Sequence, residues 1–324
     1  MKLSFLFLLL FAVYIASRIV PTKRKRMIRE IIEDLGSLKW GDDYAVQENL
    51  VFFQATRSVF TYFYWLITRA PKIDSRRLKE LSDYPFPKWD RELHIRLVQM
   101  EKKKFPGMIT PLRNAVVDFV LKNDPKVIVD LGSGGMEIER QLIHELTHKR
   151  YQKPAIFVGI DRSSVAKEVA KNNLRDIAEF AEIHEIEYLD RRILAEMQSW
   201  NKNKHTIVMC KNDIFQLDRI FNPKSIDLLF YSKFKHHLAQ DQKLHLDELT
   251  TKLAKVVMEY DDYRSWPLLI PQSIATWPYP LLMNGAVFSR LRDPTKRELL
   301  ASNNGGWNNK FFGIGSYLRL YERI

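Results

Sequence analysis

The residues of this sequence best placed to do chemistry are a group of glycines and an acid that follows them. Leu131–Met136 (LGSGGM) lies between the apolar run Lys126–Asp130 (KVIVD) and a helix expected to begin near Glu137. Gly132, Gly134 and Gly135 let a ligand approach the backbone closely, and a helix N-terminus offers N–H groups with no intrahelical partner. A tight strand-to-helix connection without a ligand would use the same residues. A second apolar run, Ile156–Ile160 (IFVGI), ends in Asp161 and precedes a helix expected over Ser164–Phe180. A carboxylate there can accept hydrogen bonds from both hydroxyls of a ribose, or it can cap the following helix. Dinucleotide binding is disfavoured: Glu137 stands where that fingerprint needs a third glycine, and Asp161 lies 31 residues beyond Asp130.

The elements that must hold these residues belong to a chain of 324 residues, 46% apolar, enough for one large domain and a smaller appendage. Its one cysteine, Cys210, excludes an intrachain disulfide and leaves too few thiolates for a cysteine-rich zinc site. No metal is demanded. The net charge of +12 is unevenly spread: residues 1–126 carry 23 Lys and Arg against 14 Asp and Glu, residues 127–324 carry 28 against 25. The excess lies outside the half with the glycine turn, which fits attraction to anionic lipid head groups better than a nucleic-acid groove. The sequence carries no signal of oligomeric state.

Leu3–Val20 is nearly continuous apolar sequence, about 27 Å long as a helix, just enough for a bilayer core. Lys23, Arg24, Lys25 and Arg26 follow it, whereas only Lys2 precedes it, so the positive-inside rule places the rest of the chain in the cytoplasm. A cleaved signal peptide is the alternative, opposed by that basic cluster. The expected organisation is a transmembrane anchor over 1–21, a basic helical region over 22–104 and a larger domain over 105–324. Within the helical region, Val59–Ile67 (VFTYFYWLI) is too short to span a membrane; it suits either the lipid interface or a buried helix.

The runs VIVDLGSGG and FVGID, a short strand Thr206–Met209 with Asp213 beyond it, and IDLLFYSKFKHHL together resemble class I S-adenosylmethionine-dependent methyltransferases over roughly residues 105–324. The resemblance implies an α/β fold, a doubly wound and mainly parallel seven-stranded sheet with helices on both faces. It implies S-adenosyl-L-methionine as cofactor, with Asp130, Gly132 and Gly134 beside its amino-acid part, Asp161 at the ribose hydroxyls and Asp213 at the adenine amino group. The neighbours Ser133, Arg162 and Ile214 complete the cofactor-binding set. Ser225–Tyr231 would be the fourth strand, and Phe311–Leu320 would lie in the closing antiparallel pair. Three positions depart from the pattern: Met136 stands where many members have glycine, a helix-like stretch near Ile183–Trp200 is additional, and Lys211 and Asn212 replace small residues before Asp213.

The tail is similar to the ubiquinone- and menaquinone-type branch, in which a double histidine follows the fourth strand and an Asp and an Arg follow the fifth; here these are His236 and His237, and the segment Asp261, Asp262, Tyr263, Arg264. For a hydroxyl, phenol or enol acceptor the candidate bases are His236, His237 or Tyr263 with Asp262. A membrane anchor favours a small or lipophilic acceptor, with Phe52–Trp65 and Trp266–Leu282 as an entrance or as ordinary packing. Methylation of RNA or protein, and a non-catalytic membrane scaffold on the same fold, are the competing readings.

Overall fold

Short runs rich in Val, Ile and Leu with no polar alternation form strands buried on both faces, the pattern of a parallel sheet covered by helices. The computed structural model describes residues 22–37, 44–73, 109–151, 153–197, 199–200, 203–238, 240–264, 293–301, 306–312 and 315–322, with isolated positions within 95–102 and 269–291. The anchor expected over residues 1–21 and most of the segment 266–282 lie outside the described residues. Among the described residues, no helix is long and apolar enough to cross a membrane. The chain divides into two compact units, one of residues 1–86 with 264–293, the other of residues 87–263 with 294–324.

The first unit contains helices α1 (Thr22–Ser37), α2 (Tyr44–Ala55) and α3 (Val59–Thr68), with a 3-10 turn at Ala70–Lys72. Its aromatic content is concentrated where α2 meets α3. The Phe52 ring lies 5.2 Å from Trp65 and 5.3 Å from Phe288, and Phe52, Tyr62 and Trp65 are all buried.

The second unit is an α/β sandwich of layers. In chain order it runs α4 (Thr110–Asn123), β1 (Val127–Leu131), α5 (Glu137–His148), β2 (Ile156–Ile160), α6 (Ser164–Asn173), β3 (Ala181–Glu185), α7 (Arg191–Met197), β4 (His205–Cys210), β5 (Ile226–Ser232), α8 (Gln240–Leu253), β6 (Ala254–Asp262), α9 (Lys296–Ala301), β7 (Trp307–Phe312) and β8 (Ser316–Glu322). The strand order is β3-β4-β2-β1-β5-β6-β8-β7, parallel except where β8 pairs antiparallel with β6 and β7. The sheet therefore has eight strands, not seven. The extra one is β3, pairing in parallel with β4 at the edge. It occupies the start of the stretch expected to be helical, whose later part does form α7. Its alternating residues, AEIHE, are only partly buried, so the period was that of a half-exposed edge strand rather than of a helix.

Alternate strand residues feed two apolar layers. Ile128, Phe157, Leu228 and Met258 pack beneath α4, α5 and α6, with Leu112, Leu142 and Ala170. Val129, Val158, Leu229 and Val257 pack on the other face against Leu217, Leu246 and Leu253. β1 has β2 on one side and β5 on the other, both parallel to it. The chain thus winds outward from β1 through β2 and β4 and then returns to the opposite side with β5 and β6. In such a sheet the crevice for a ligand opens at the carboxyl ends of the strands where the winding reverses, here β1 and β5.

Candidate cofactor cleft and its histidine–aspartate pair

The glycine turn sits at that reversal point. Gly132 has φ +68°, and its N–H donates to the Ile160 carbonyl at 2.8 Å, tying the end of β1 to the end of β2. A Cβ on Gly132 would come within 2.6 Å of Phe234 Cδ2, so glycine is required both for conformation and for space. Gly134 also takes a positive φ, +50°, and donates its N–H to Asp161 Oδ2 at 2.9 Å. Ser133 donates its N–H to the Ile160 carbonyl at 3.3 Å and accepts from Met136 N–H at 2.8 Å. Met136, the departure from the family pattern, keeps the left-handed conformation (φ 52°, ψ 36°) despite its Cβ, at a cost of roughly 1–2 kcal/mol. Its side chain is buried and stands over Gly159, where a Cβ would lie 2.5 Å from Met136 Cε.

Asp161 bridges two loops. One oxygen accepts from Gly134 N–H, and the other accepts from Ser163 N–H at 2.8 Å. Ser163, not Asp161, caps α6 through its hydroxyl, which accepts from Ala166 N–H at 3.1 Å. Each Asp161 oxygen keeps further acceptor capacity, so two ribose hydroxyls remain within its chemistry. Arg162 beside it is exposed.

Beneath the turn lies a feature that the sequence reading missed. Asp130, Glu137 and Glu139 are all buried, at 4%, 2% and 1% exposure. Glu137 is answered by Arg140, Gln141 and Asn173, each with a nitrogen 2.9 Å from its carboxylate. Glu139 is not: among the described residues no nitrogen donor reaches its buried carboxyl oxygens, and what it meets is the carboxyl of Asp130. Burial, with the charges of Glu137 and Glu139, pushes Glu101 up to about 8, and burial pushes Glu139 up to about 7. Burial and the facing Glu139 carboxyl hold Asp130 well above the usual carboxylate range. No basic side chain among the described residues offsets these three groups. A signal for Glu139 was present in the sequence, because Glu139, Leu142, Ile143 and Leu146 share one helical stripe and the last three are fully buried.

At the end of β4, Asp213 is exposed and caps a 3-10 turn, accepting from Phe215 N–H at 3.0 Å. Ile214, half-buried, opens that turn. Asn212 pins the loop leading to α7, its amide and carbonyl each 2.9 Å from the Leu189 backbone. This gives the residue before Asp213 a structural task that a small side chain could not perform.

At the ends of β5 and β6 the candidate bases separate. His236 and Asp261 are both buried, with His236 Nδ1 2.9 Å from Asp261 Oδ1 and 3.1 Å from Oδ2. Burial drives the Asp261 carboxyl up, but the His236 ring, its hydrogen bond, Lys233 and the Asp262 N–H outweigh this and hold it well below the carboxylate range. An ionised Asp261 is an acceptor for a proton on Nδ1, and in a neutral ring that arrangement puts the lone pair on Nε2, where a general base needs it. His237 is half-buried, its ring 4.3 Å from that of His236. Tyr263 lies farther along the chain against Phe311, with ring centroids 5.7 Å apart, and Asp262 pairs with Lys233 instead. Asp261 was not among the expected bases or their partners, since it lies in the run Val256–Asp262, buried at every position, and has no distinguishing period.

The turn carrying His236 is clamped from beneath. Tyr231, Glu259 and Arg319 are in register across β5, β6 and β8. Lys235 Nζ lies 3.0 Å from Glu259 Oε2 and 2.5 Å from Asp247 Oδ1 of α8. Arg319 also reaches Glu259, at 3.6 Å, and its guanidinium stands 4.2 Å from the Trp307 ring centroid.

No family model matches the chain, and no curated protein matches it. Solved structures that are similar to it include the small RNA methyltransferase HEN1 (13% identity, 68% of this chain and 26% of that chain, TM-score 0.45). Others are the plantazolicin methyltransferase BamL in complex with a triazolic desmethylPZN analog and SAH (13%, 70% and 72%, TM-score 0.43) and the magnesium protoporphyrin IX methyltransferase from Synechocystis PCC 6803 with bound SAH (14%, 70% and 84%, TM-score 0.40). At these identities the likeness is one of chain arrangement, and any chemistry has to be argued from the site itself.

Proposed function

We propose that this protein is an S-adenosylmethionine-dependent methyltransferase acting on a small or lipophilic acceptor, held at a membrane by the apolar segment 3–20. The observation that carries the reading is the packing of Gly132 against Phe234, which joins the glycine turn after β1 to the turn bearing His236. Around that junction the residues fit the cofactor's chemistry. Among the described residues, no basic side chain pairs with the buried carboxyls of Asp130 and Glu139, an environment suited to a ligand carrying an ammonium and a sulfonium. Asp161 retains acceptor capacity suited to ribose hydroxyls, and the glycine turn admits a ligand to its backbone.

Bound there, S-adenosylmethionine would supply an electrophilic methyl group. The protein's own tasks are to align the acceptor and to exclude water. His236 Nε2 would take the acceptor's proton, and Asp261 would orient the ring and stabilise the imidazolium that forms. Methyl transfer to a hydroxyl, phenol or enol is the reaction this pair suits.

Calorimetric titration of the full-length protein in detergent with S-adenosylmethionine, S-adenosylhomocysteine and NAD tests the cofactor assignment. The expected result is that both sulfur ligands bind and NAD does not, and that Asp161→Ala weakens binding by about tenfold or more, the loss of a charge-assisted pair of hydrogen bonds. A folded protein that binds neither sulfur ligand sinks the reading.

A further inference from the structure

The three most exposed large apolar side chains among the described residues lie on one short helix. Phe60, Tyr64 and Ile67 of α3 are 67%, 69% and 73% exposed. Their spacing, i, i+4 and i+7, places them on a single face. The opposite face of α3 is firmly seated within its own unit. Tyr62, Trp65 and Leu66 are buried, Trp65 meets Phe52 and Phe288 edge-on, and the Tyr62 hydroxyl donates to Ser273 Oγ. The exposed face is thus presented by an anchored helix.

Its flanks carry cations. Arg57, Arg69 and Lys72 adjoin the helix and all three are exposed, while the nearest acids along the chain, Glu48 and Asp74, stand farther from it. Arg57 stands just before the helix and Arg69 just after it, so the apolar face is bracketed by positive charge at both ends.

We infer that α3 docks in the plane of an anionic lipid surface, with Phe60, Tyr64 and Ile67 in the boundary between head groups and acyl chains and the three cations among the head groups. At 10 residues the helix is about 15 Å long, far short of a bilayer core, so it lies along the surface rather than crossing it. Tyr64 suits such a boundary, having an apolar ring and a polar tip. A second copy of the chain is a poorer occupant. Three side chains offer roughly 500 Å², short of the ~800 Å² per partner of a stable interface, and pairing like faces would bring arginines together. The inference is independent of methyl transfer, and it supplies a contact besides the proposed anchor.

The test uses the full-length chain carrying a single environment-sensitive fluorophore. Cys210 is buried and burial pushes its thiol up to about 12, so a maleimide reagent at neutral pH labels an introduced surface cysteine instead. Ile67→Cys and, as a control, Leu244→Cys on α8 are labelled and reconstituted into phosphatidylcholine vesicles with or without one part in three of phosphatidylserine. The expected result is a blue shift at position 67 that is larger with phosphatidylserine, is quenched by acyl-brominated lipid and is lost in Phe60→Ser/Tyr64→Ser. Position 244 shows none of these. Absence of a shift at 67 in anionic vesicles overturns the inference. So does a shift that appears without lipid and grows with protein concentration, which would identify a second copy as the occupant.

Discussion

A Cβ placed on Gly132 would lie 2.6 Å from Cδ2 of Phe234, so the turn that follows β1 and the turn that follows β5 are fitted against each other with no room for a methyl group. The two turns would carry the two halves of the reaction, cofactor binding and proton removal. Gly132→Ala should therefore be a loss of both. At φ +68° the added Cβ costs about 1–2 kcal/mol, and displacing the Phe234 ring adds roughly 1–3 kcal/mol. A fall in melting temperature, accompanied by weakened S-adenosylmethionine binding, is expected; Phe234→Ala in the same chain should recover part of the stability, because only the crowding is relieved.

The His236–Asp261 pair makes a different prediction, separating binding from turnover. Asp261→Asn removes the acceptor that fixes the Nδ1–H tautomer and stabilises the charged ring. With a hydroxyl, phenol or enol acceptor in hand, kcat should fall by about 10²- to 10⁴-fold in Asp261→Asn and in His236→Ala, while calorimetric affinity for S-adenosylmethionine stays within a few-fold of the unaltered protein. Equal losses in affinity and kcat would point to a merely structural pair.

The carboxyls under the glycine turn set a pH dependence. Glu101 and Glu139 have folded values of about 8 and about 7 against an ordinary 4.5, so the folded state holds their protons more tightly than the unfolded one. Their contribution is most favourable below pH 4.5 and is lost as pH rises through 7 to 8. Glu139→Gln and Glu101→Gln should therefore gain stability relative to the unaltered protein as pH is raised from 5 to 8. Denaturant midpoints at several pH values would show a variant-minus-parent difference that climbs with pH; a flat difference would remove these groups from the account.

Lys235 supports the turn bearing His236 through two acids, the buried Glu259 and the partly buried Asp247. Its side chain is 9% exposed and that of Glu259 is 2% exposed. Lys235→Met should destabilise by about 3–5 kcal/mol, because Glu259 and Asp247 lose a buried counter-charge. Lys235→Met with Glu259→Gln should be less damaging than the two losses added, and urea unfolding of the four proteins in the cycle measures that coupling.

Local signals were enough for the central strands and the turn between them. VIVDLGSGG and IFVGID carry buried-strand composition and glycine punctuation within a few residues of each other, and the strands Val127–Leu131 and Ile156–Ile160 fall within a residue of where these signals place them. The same holds for the helix that starts at Glu137; the closing antiparallel pair forms where expected around Phe311–Leu320 but begins four residues earlier, at Trp307. The eighth strand was not legible, because Ala181–Glu185 is half-polar and becomes a strand only by pairing with His205–Met209, some 24 residues away. Glu139 was half-legible: its place on an apolar stripe was visible, but that it faces Asp130 was not.

The sequence by itself determined which residue types stand at the turn, at the strand ends and in the histidine pair, since strand, turn and helix preferences act over neighbouring residues. Only the tertiary structure decided which of those residues work together. The register of β5 on β6 places Ser232 opposite Tyr260, and this brings the following turn over Asp261 and assigns that acid to His236. Tertiary packing likewise gave Asp262 to Lys233 and Asp161 to Gly134, whereas Asp213 caps its own 3-10 turn through a contact two residues away. Such pairings depend on contacts across 20 to 30 residues as well as between neighbours, and a residue's type and position in the sequence leave its partner open until the sheet is assembled.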